Sequence, residues 1–114
     1  WVAVTVAFEQ AEGHNGLWVV DTGTGEGLRL DSYGSYRWRN EGELLVIPYD
    51  LETGLAFWQY DVSTGLGFQL TEPEIISFAI ANNDWEVSPD GSRVVYVSAE
   101  DYGIWLLQLP SGEP

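Results

Sequence analysis

The chain offers few side chains for catalysis. Its single histidine, His14, would have to serve in any Ser-His-Asp triad. His14 lies in the polar run Glu12-Gly13-His14-Asn15-Gly16, and no Gly-x-Ser-x-Gly segment is present to hold a serine nucleophile. The absence of cysteine excludes thiol nucleophiles, thiolate metal sites and disulfides. We therefore interpret His14 as a loop residue and expect a protein that is not itself an enzyme.

Carboxylates are the most abundant charged groups. Eighteen Asp and Glu residues stand against four Lys and Arg, which gives a formal net charge of −14. This charge repels a phosphate backbone, so nucleic acid and an anionic membrane surface are poor partners. It suits a cationic partner, a divalent metal or simple solubility, and we favour solubility. We expect no cofactor, with calcium as the alternative, because Ca²⁺ needs several converging oxygen ligands.

Membrane insertion is not expected from the hydropathy pattern. No stretch approaches the roughly 18 to 20 apolar residues that span a bilayer, and no basic segment followed by an apolar run opens the chain. The chain also contains no methionine, so we expect it to be a processed or excised segment.

A repeat organises the sequence. The segment 17–25 recurs at 57–65 and at 104–112, and in each copy a tryptophan stands seven positions before a glycine. These tryptophans are Trp18, Trp58 and Trp105. A second pair, Trp38 and Trp85, shares the offset of 47 residues that separates the last two copies. Such self-similarity is typical of repeat architectures.

Each repeat reads as short strands divided by turn residues, as in the blades of a propeller. The aromatic content of 14% favours strands over helices. The predicted fold is all-β and comprises ten strands, at residues 2–8, 17–21, 27–30, 36–39, 44–48, 56–61, 67–71, within 75–85, 93–98 and 104–109. We assign residues 1–31, 32–71 and 72–114 to three successive blades, the first without its inner strand and the third without its outer strand.

The turn Ser88-Pro89-Asp90-Gly91 carries a family resemblance. Residues 85–98 read WEVSPDGSRVVYVS and are followed by Gly103-Ile104-Trp105, which resembles the Ser-Pro-Asp-Gly repeat of TolB-type β-propellers. At residues 40–43 the corresponding turn reads Asn-Glu-Gly-Glu. The resemblance implies about two and a half four-stranded antiparallel blades of a ring of six to eight. It also implies an extracytoplasmic location, in the periplasm, on the cell surface or secreted.

Several residues are candidates for a site or for packing between blades. The loops that precede the third strands and those that link blades share one rim, where we place a ligand or partner surface made of Glu12, His14, Asp50, Glu52, Asp84, Glu100 and Asp101. The same rim carries the further acids Glu9, Asp31, Glu72 and Glu74. We interpret Trp18, Trp58 and Trp105 as packing residues between blades, and we favour inter-blade ion pairing over ligand binding for Arg37 and Arg39. The apolar middle of the insertion 72–84 is interpreted as an extended inner strand, with an exposed docking loop as the alternative.

The resemblance leaves three functions open, because a fold does not determine a reaction. We favour a non-catalytic scaffold for protein–protein interaction, whose partner is another protein or the remaining blades, or copies of the chain if it is complete. The alternative is the substrate-gating propeller of a prolyl-oligopeptidase-like serine peptidase. A carbohydrate-acting propeller would need paired carboxylates in a central channel.

Overall fold

The computed structural model describes residues 1–7, 12–31, 33–48, 56–72, 84–98 and 102–111. Within these ranges it contains ten β-strands and a single 3-10 turn at Glu12–His14. The strands are β1 Val2–Val6, β2 Gly16–Val20, β3 Gly27–Arg29, β4 Gly34–Trp38, β5 Glu43–Pro48, β6 Trp58–Asp61, β7 Leu66–Gln69, β8 Trp85–Val87, β9 Arg93–Val97 and β10 Ile104–Gln108. The predicted all-β architecture is confirmed.

The strands form three antiparallel sheets in which neighbours in sequence are neighbours in space. The first sheet has the order β1-β2-β3, the second β4-β5-β6-β7 and the third β8-β9-β10. These sheets do not close on one another within the described residues. The insertion 72–84 lies outside those residues except at its two ends.

Local turn chemistry explains why the strands reverse where they do. Asp21 Oδ1 accepts the Gly23 N–H at 2.8 Å, and Asp61 Oδ1 accepts the Ser63 N–H at 2.9 Å. Each turn then ends at a glycine with positive φ, 79° at Gly25 and 75° at Gly65. An aspartate that bonds its own turn, followed by a glycine in the left-handed region, favours a tight reversal between two strands.

Strand β5 occupies the middle of the structure, because both of its faces are buried. Leu44 and Val46 belong to a first core cluster, whereas Leu45 and Ile47 belong to a second one. The first core cluster, between the first and second sheets, consists of Leu17, Val19, Leu30, Leu44, Val46, Tyr60 and Val62. The second, between the second and third sheets, consists of Leu45, Ile47, Phe57, Trp85, Val94, Tyr96 and Leu109. The three sheets are therefore stacked in chain order.

The repeated tryptophans occupy one register position. Trp18 pairs with Val4, Trp58 with Val46 and Trp105 with Tyr96, each between the same two strands of its sheet. Trp58 packs against the first core cluster. Because side chains alternate along a strand, Trp105 shares the face of Tyr96 that looks toward the second sheet, and Trp18 points away from the first core cluster.

The strand register corrects one alignment made from the sequence. Tyr36 pairs with Val46, and Trp85 pairs with Tyr96, so Trp85 corresponds to Tyr36. Trp38 corresponds instead to Val87, since their partners Leu44 and Val94 each lie two residues nearer the turn than Val46 and Tyr96 do. The turn between the first two strands is one residue longer in the third sheet, whereas the connection from the second to the third strand is three residues shorter, since Trp58 follows Val46 by 12 residues and Trp105 follows Tyr96 by 9. Equivalent positions on the first strands are therefore 49 residues apart, as Tyr36 and Trp85 are. The shared offset of 47 residues between Trp38 and Trp85 does not reflect equivalent places.

Candidate functional site

The predicted rim residues are only partly within the described structure. Glu12 and His14 belong to the 3-10 turn, and Asp84 immediately precedes β8. The other four, Asp50, Glu52, Glu100 and Asp101, lie outside the described residues. The His14 carbonyl accepts the Trp18 Nε1–H at 2.8 Å, so the backbone of this turn positions a repeated tryptophan. Among the described residues, no three His, Cys, Asp or Glu side chains are grouped to hold a metal ion.

A polar cleft of about 280 Å³ opens near His14, at the junction of the first and second sheets. Its walls include Asn15, Gly16, Arg29, Asp31 and Tyr33. The Arg29 guanidinium donates to the Gly13 carbonyl at 2.7 Å, and Asp31 Oδ1 accepts the Tyr60 hydroxyl at 2.7 Å. The cleft can hydrogen-bond a polar group, but both of its charged side chains already make structural contacts.

Arg29 was not singled out by the sequence, and the repeat contains the signal that would have found it. Arg29 pairs with Trp18, and Gln69 pairs with Trp58, so a long polar side chain lies beside the tryptophan in two sheets. A Cβ built on Gly16 would lie 3.0 Å from the Arg29 Cδ. Gly16, whose φ is 143°, therefore leaves the space beside β2 that the Arg29 side chain occupies.

Arg39 links the second sheet to the third. Its Nε donates to the Gly91 carbonyl at 2.8 Å and its Nη2 to the Pro110 carbonyl at 2.6 Å. Its Nη1 donates to Gln59 Oε1 at 2.7 Å within the second sheet. The expected ion pairing is not found for Arg39 within the described residues, because its partners there are neutral oxygens, two of them on the third sheet. The guanidinium is well suited to this role, since it presents several donors in one rigid plane.

Arg37 also lies between these two sheets. Its Nε is 3.6 Å from Glu86 Oε1, and its guanidinium carbon lies 5.3 Å from the centre of the Trp85 ring. The Trp85 Nε1–H in turn donates to Ser35 Oγ at 2.8 Å. The ion pair is exposed and contributes little on its own. The stacked ring and the buried hydrogen bond fix the docking angle of β8.

The Ser-Pro-Asp-Gly turn is a self-contained hydrogen-bonded unit. The Gly91 N–H donates to the Ser88 carbonyl at 2.9 Å, and Asp90 Oδ1 accepts the hydroxyls of Ser92 and Ser88 at 2.7 and 2.8 Å. These bonds favour the charged carboxylate. The hydroxyl of Ser92, then its backbone N–H and the Ser88 hydroxyl, lower the pKa of Asp90 from 3.8 to about 2. The motif therefore shapes the turn that receives Arg39 and presents no free catalytic group.

Both outer sheet faces expose apolar side chains. On the first sheet, Val2 and Val4 are exposed on the face away from the first core cluster. On the third sheet, the face away from the second core cluster carries Val95, Ile104 and Leu106, which are 41%, 80% and 59% exposed. Scattered apolar residues are ordinary at a surface, but contiguous apolar faces mark interaction sites.

A shallow groove marks the outer face of the third sheet. Its volume is about 230 Å³, and its lining consists of Asp84, Trp85, Glu86, Val95, Tyr96, Val97 and Ile104. Asp84, predicted at the rim, thus lies at the edge of this apolar surface.

In the described part of the chain, no helix is long and apolar enough to cross a membrane.

Comparison with known proteins adds no relative to this picture: no family model, no curated protein and no solved structure matches the chain.

Proposed function

We propose that the chain is a segment of a β-propeller and that it serves as a non-catalytic scaffold for protein–protein interaction. The observation that supports this proposal is the equivalence of the two outer faces with the two buried interfaces. Leu17 lies on the face of the first sheet that packs against the second sheet. Phe57, at the equivalent position, lies on the face of the second sheet that packs against the third. The third sheet presents the corresponding face, with Ile104 and Leu106, to the outside.

The same equivalence holds in the other direction. Trp58 lies on the face that the second sheet turns toward the first. Trp18, in the same register position, lies on the outer face of the first sheet beside Val4. A preceding sheet packed there would cover Trp18 as the first sheet covers Trp58. The stack is thus suited to continue at both ends, which is how propeller blades are arranged.

The polar side chains that stand out in the described residues support a scaffold. Arg37 and Arg39 join two sheets, and Asp90 shapes a turn. Rigid sheets with a contiguous apolar face are a common way to present a binding surface. The proposed partner packs where a further blade would pack, on the outer face of the third sheet and in the groove beside Asp84.

The experiment is a chemical cross-linking comparison in native extract with two double variants of the chain. In the first, Val95→Thr and Leu106→Thr make the outer face polar. In the matched control, Leu28→Thr and Leu66→Thr change two side chains that are 38% and 73% exposed and belong to the first and second sheets. We expect a defined set of proteins to cross-link to the wild type and to the control but not to the first variant. Recovery of the same proteins with both variants, or of none with the wild type, would contradict the scaffold proposal.

A further inference from the structure

The polar cleft at the junction of the first and second sheets carries two opposite charges that do not meet. Arg29 and Asp31 both lie in its walls, together with Asn15, Gly16 and Tyr33. Both charged side chains are exposed, and no ion pair joins them among the described residues. A cleft that holds a cation and an anion apart leaves room for a ligand that contacts both.

Each charged group is fixed by hydrogen bonds to the fold and keeps further bonding capacity. Arg29 uses its Nη1, which donates to the carbonyls of Gly13 at 2.7 Å and Asn15 at 3.4 Å. Asp31 uses its Oδ1, which accepts the hydroxyl of the buried Tyr60. Among the described residues, Nε and Nη2 of Arg29 and Oδ2 of Asp31 have no hydrogen-bond partner. Both groups are therefore oriented before a ligand arrives, which lowers the entropic cost of binding.

The second sheet has an equivalent corner that is closed and carries no charge. By the register of the two tryptophans, Gln69 holds the place of Arg29. Thr71, two residues further along, holds the place of Asp31. The Gln69 Nε2–H donates to the Thr71 carbonyl at 2.9 Å, and Thr71 Oγ1 accepts the Phe57 N–H at 3.0 Å. Since neutral side chains satisfy this corner in one sheet, the fold does not require the two charges that the first sheet places there.

The size and the walls of the cleft suit a small molecule. Its volume of about 280 Å³ lies just below the roughly 300 to 1,000 Å³ that is usual for pockets that bind drug-sized ligands. The ring of Tyr33, which is 44% exposed, adds apolar surface beside the two charges. A ligand with two charged groups and a short apolar part therefore fits these walls.

The charges also indicate that the ligand has no net charge of its own. The net charge of −14 repels a small anion, although Arg29 alone would attract it. The fixed guanidinium disfavours a simple cation beside Asp31. A zwitterion avoids both penalties, because each of its charged groups pairs with the opposite charge of the cleft. Hydrogen bonds between charged groups are roughly twice as strong as those between neutral ones, which favours a zwitterion over a sugar.

We propose that this cleft binds a free α-amino acid. The carboxylate of the amino acid accepts hydrogen bonds from Nε and Nη2 of Arg29, and its ammonium group donates to Oδ2 of Asp31. Its side chain lies along the ring of Tyr33. This inference goes beyond the scaffold proposal and does not rest on it, since the cleft shares no residue with the groove on the outer face of the third sheet. Either proposal can fail while the other stands.

The first test is an NMR titration of the chain with glycine, L-alanine and L-leucine in turn. We expect at least one of them to shift the backbone amide signals of Gly16, Asp31 and Tyr33. For the amino acid that binds, the C-terminal amide removes the anionic group and the N-acetyl derivative removes the cationic group. Each derivative should bind at least about tenfold more weakly.

Three results of the titration would overturn the proposal. The first is the absence of shifts at these amides up to about 10 mM of each amino acid. The second is an affinity for either derivative equal to that for the free amino acid. The third is tighter binding of D-glucose than of every amino acid, which would identify a hydroxyl-rich ligand as the occupant.

The second test assigns the two charges with single variants. Arg29→Gln introduces the side chain that the second sheet has at this place, and Asp31→Asn keeps an oxygen that can accept the Tyr60 hydroxyl. Each variant should weaken binding of the amino acid at least about tenfold. The matched controls Arg93→Gln and Glu41→Gln remove the same charges at exposed positions outside the cleft and should change binding by less than about twofold. Equal losses in the cleft variants and the controls would refute the two charges as ligand contacts.

Discussion

Replacing Arg39 by methionine should loosen the third sheet from the second. Methionine keeps an unbranched apolar stem but removes the guanidinium, and with it the bonds to Gly91 O, Pro110 O and Gln59 Oε1. Hydrogen bonds from a charged donor contribute about 1.5 to 3 kcal/mol each when buried. Arg39 is only half-buried. A lower value of about 1 kcal/mol for each bond therefore applies, which gives a loss of about 3 kcal/mol in the free energy of unfolding.

This loss is large enough to measure by thermal unfolding. An unfolding entropy of about 2.1 cal/mol/K per residue corresponds to about 0.24 kcal/mol/K for this chain, so the midpoint should fall by about 12 °C. Urea unfolding should give the same loss in the free energy of unfolding. The midpoint concentration should fall while the slope stays unchanged, because the surface exposed on unfolding is the same.

The matched control is Arg93→Met. It also removes one positive charge, so both variants have the same net charge. Arg93 is exposed, and within the described residues its Nε donates to Gln108 Oε1 at 3.3 Å, inside its own sheet. We expect a loss below about 0.5 kcal/mol for this variant. If the two arginine variants differ by less than about 1 kcal/mol, the linking role of Arg39 is refuted.

Two further predictions concern a close contact and a pKa. Gly67→Ala should lower the free energy of unfolding in urea by about 2 kcal/mol, because its Cβ would meet the buried Tyr60 ring. Gly13→Ala is the control and should be nearly neutral, since no atom lies within 4 Å of the added Cβ. Equal losses for the two variants would contradict the contact. The pKa of Asp90 is lowered to about 2, so its carboxylate contributes fully to stability above its ordinary value of 3.8, and the contribution disappears as the pH falls through about 2. In the Asp90→Asn variant, the thermal midpoint should therefore decrease less between about pH 4 and pH 2 than it does in the wild type. Parallel curves of midpoint against pH for the two proteins would refute the contribution of the Asp90 carboxylate.

The sequence by itself determines the strands, because strands and turns depend on local signals. Alternating apolar residues and turns such as Asp61-Val62-Ser63-Thr64-Gly65 predict nine of the ten strands within a few residues of their places. The remaining strand is predicted within 75–85, a range that lies mostly outside the described residues, and the strand observed there is Trp85–Val87. The repeat also places Trp18, Trp58 and Trp105 correctly in one register, because no length change falls between each tryptophan and its turn. The rim could not be judged in the same way, since Asp50, Glu52, Glu100 and Asp101 lie outside the described residues.

Only the tertiary structure decides how the sheets meet. Trp38 and Trp85 look equivalent in sequence, yet connections of different length put Trp85 opposite Tyr96 and in the place of Tyr36. Arg39 reaches Gly91 and Pro110 because β5 is buried on both faces and draws the third sheet against the second. Such contacts join residues 52 and 71 positions apart, and their geometry depends on register and stacking, which a local pattern does not encode.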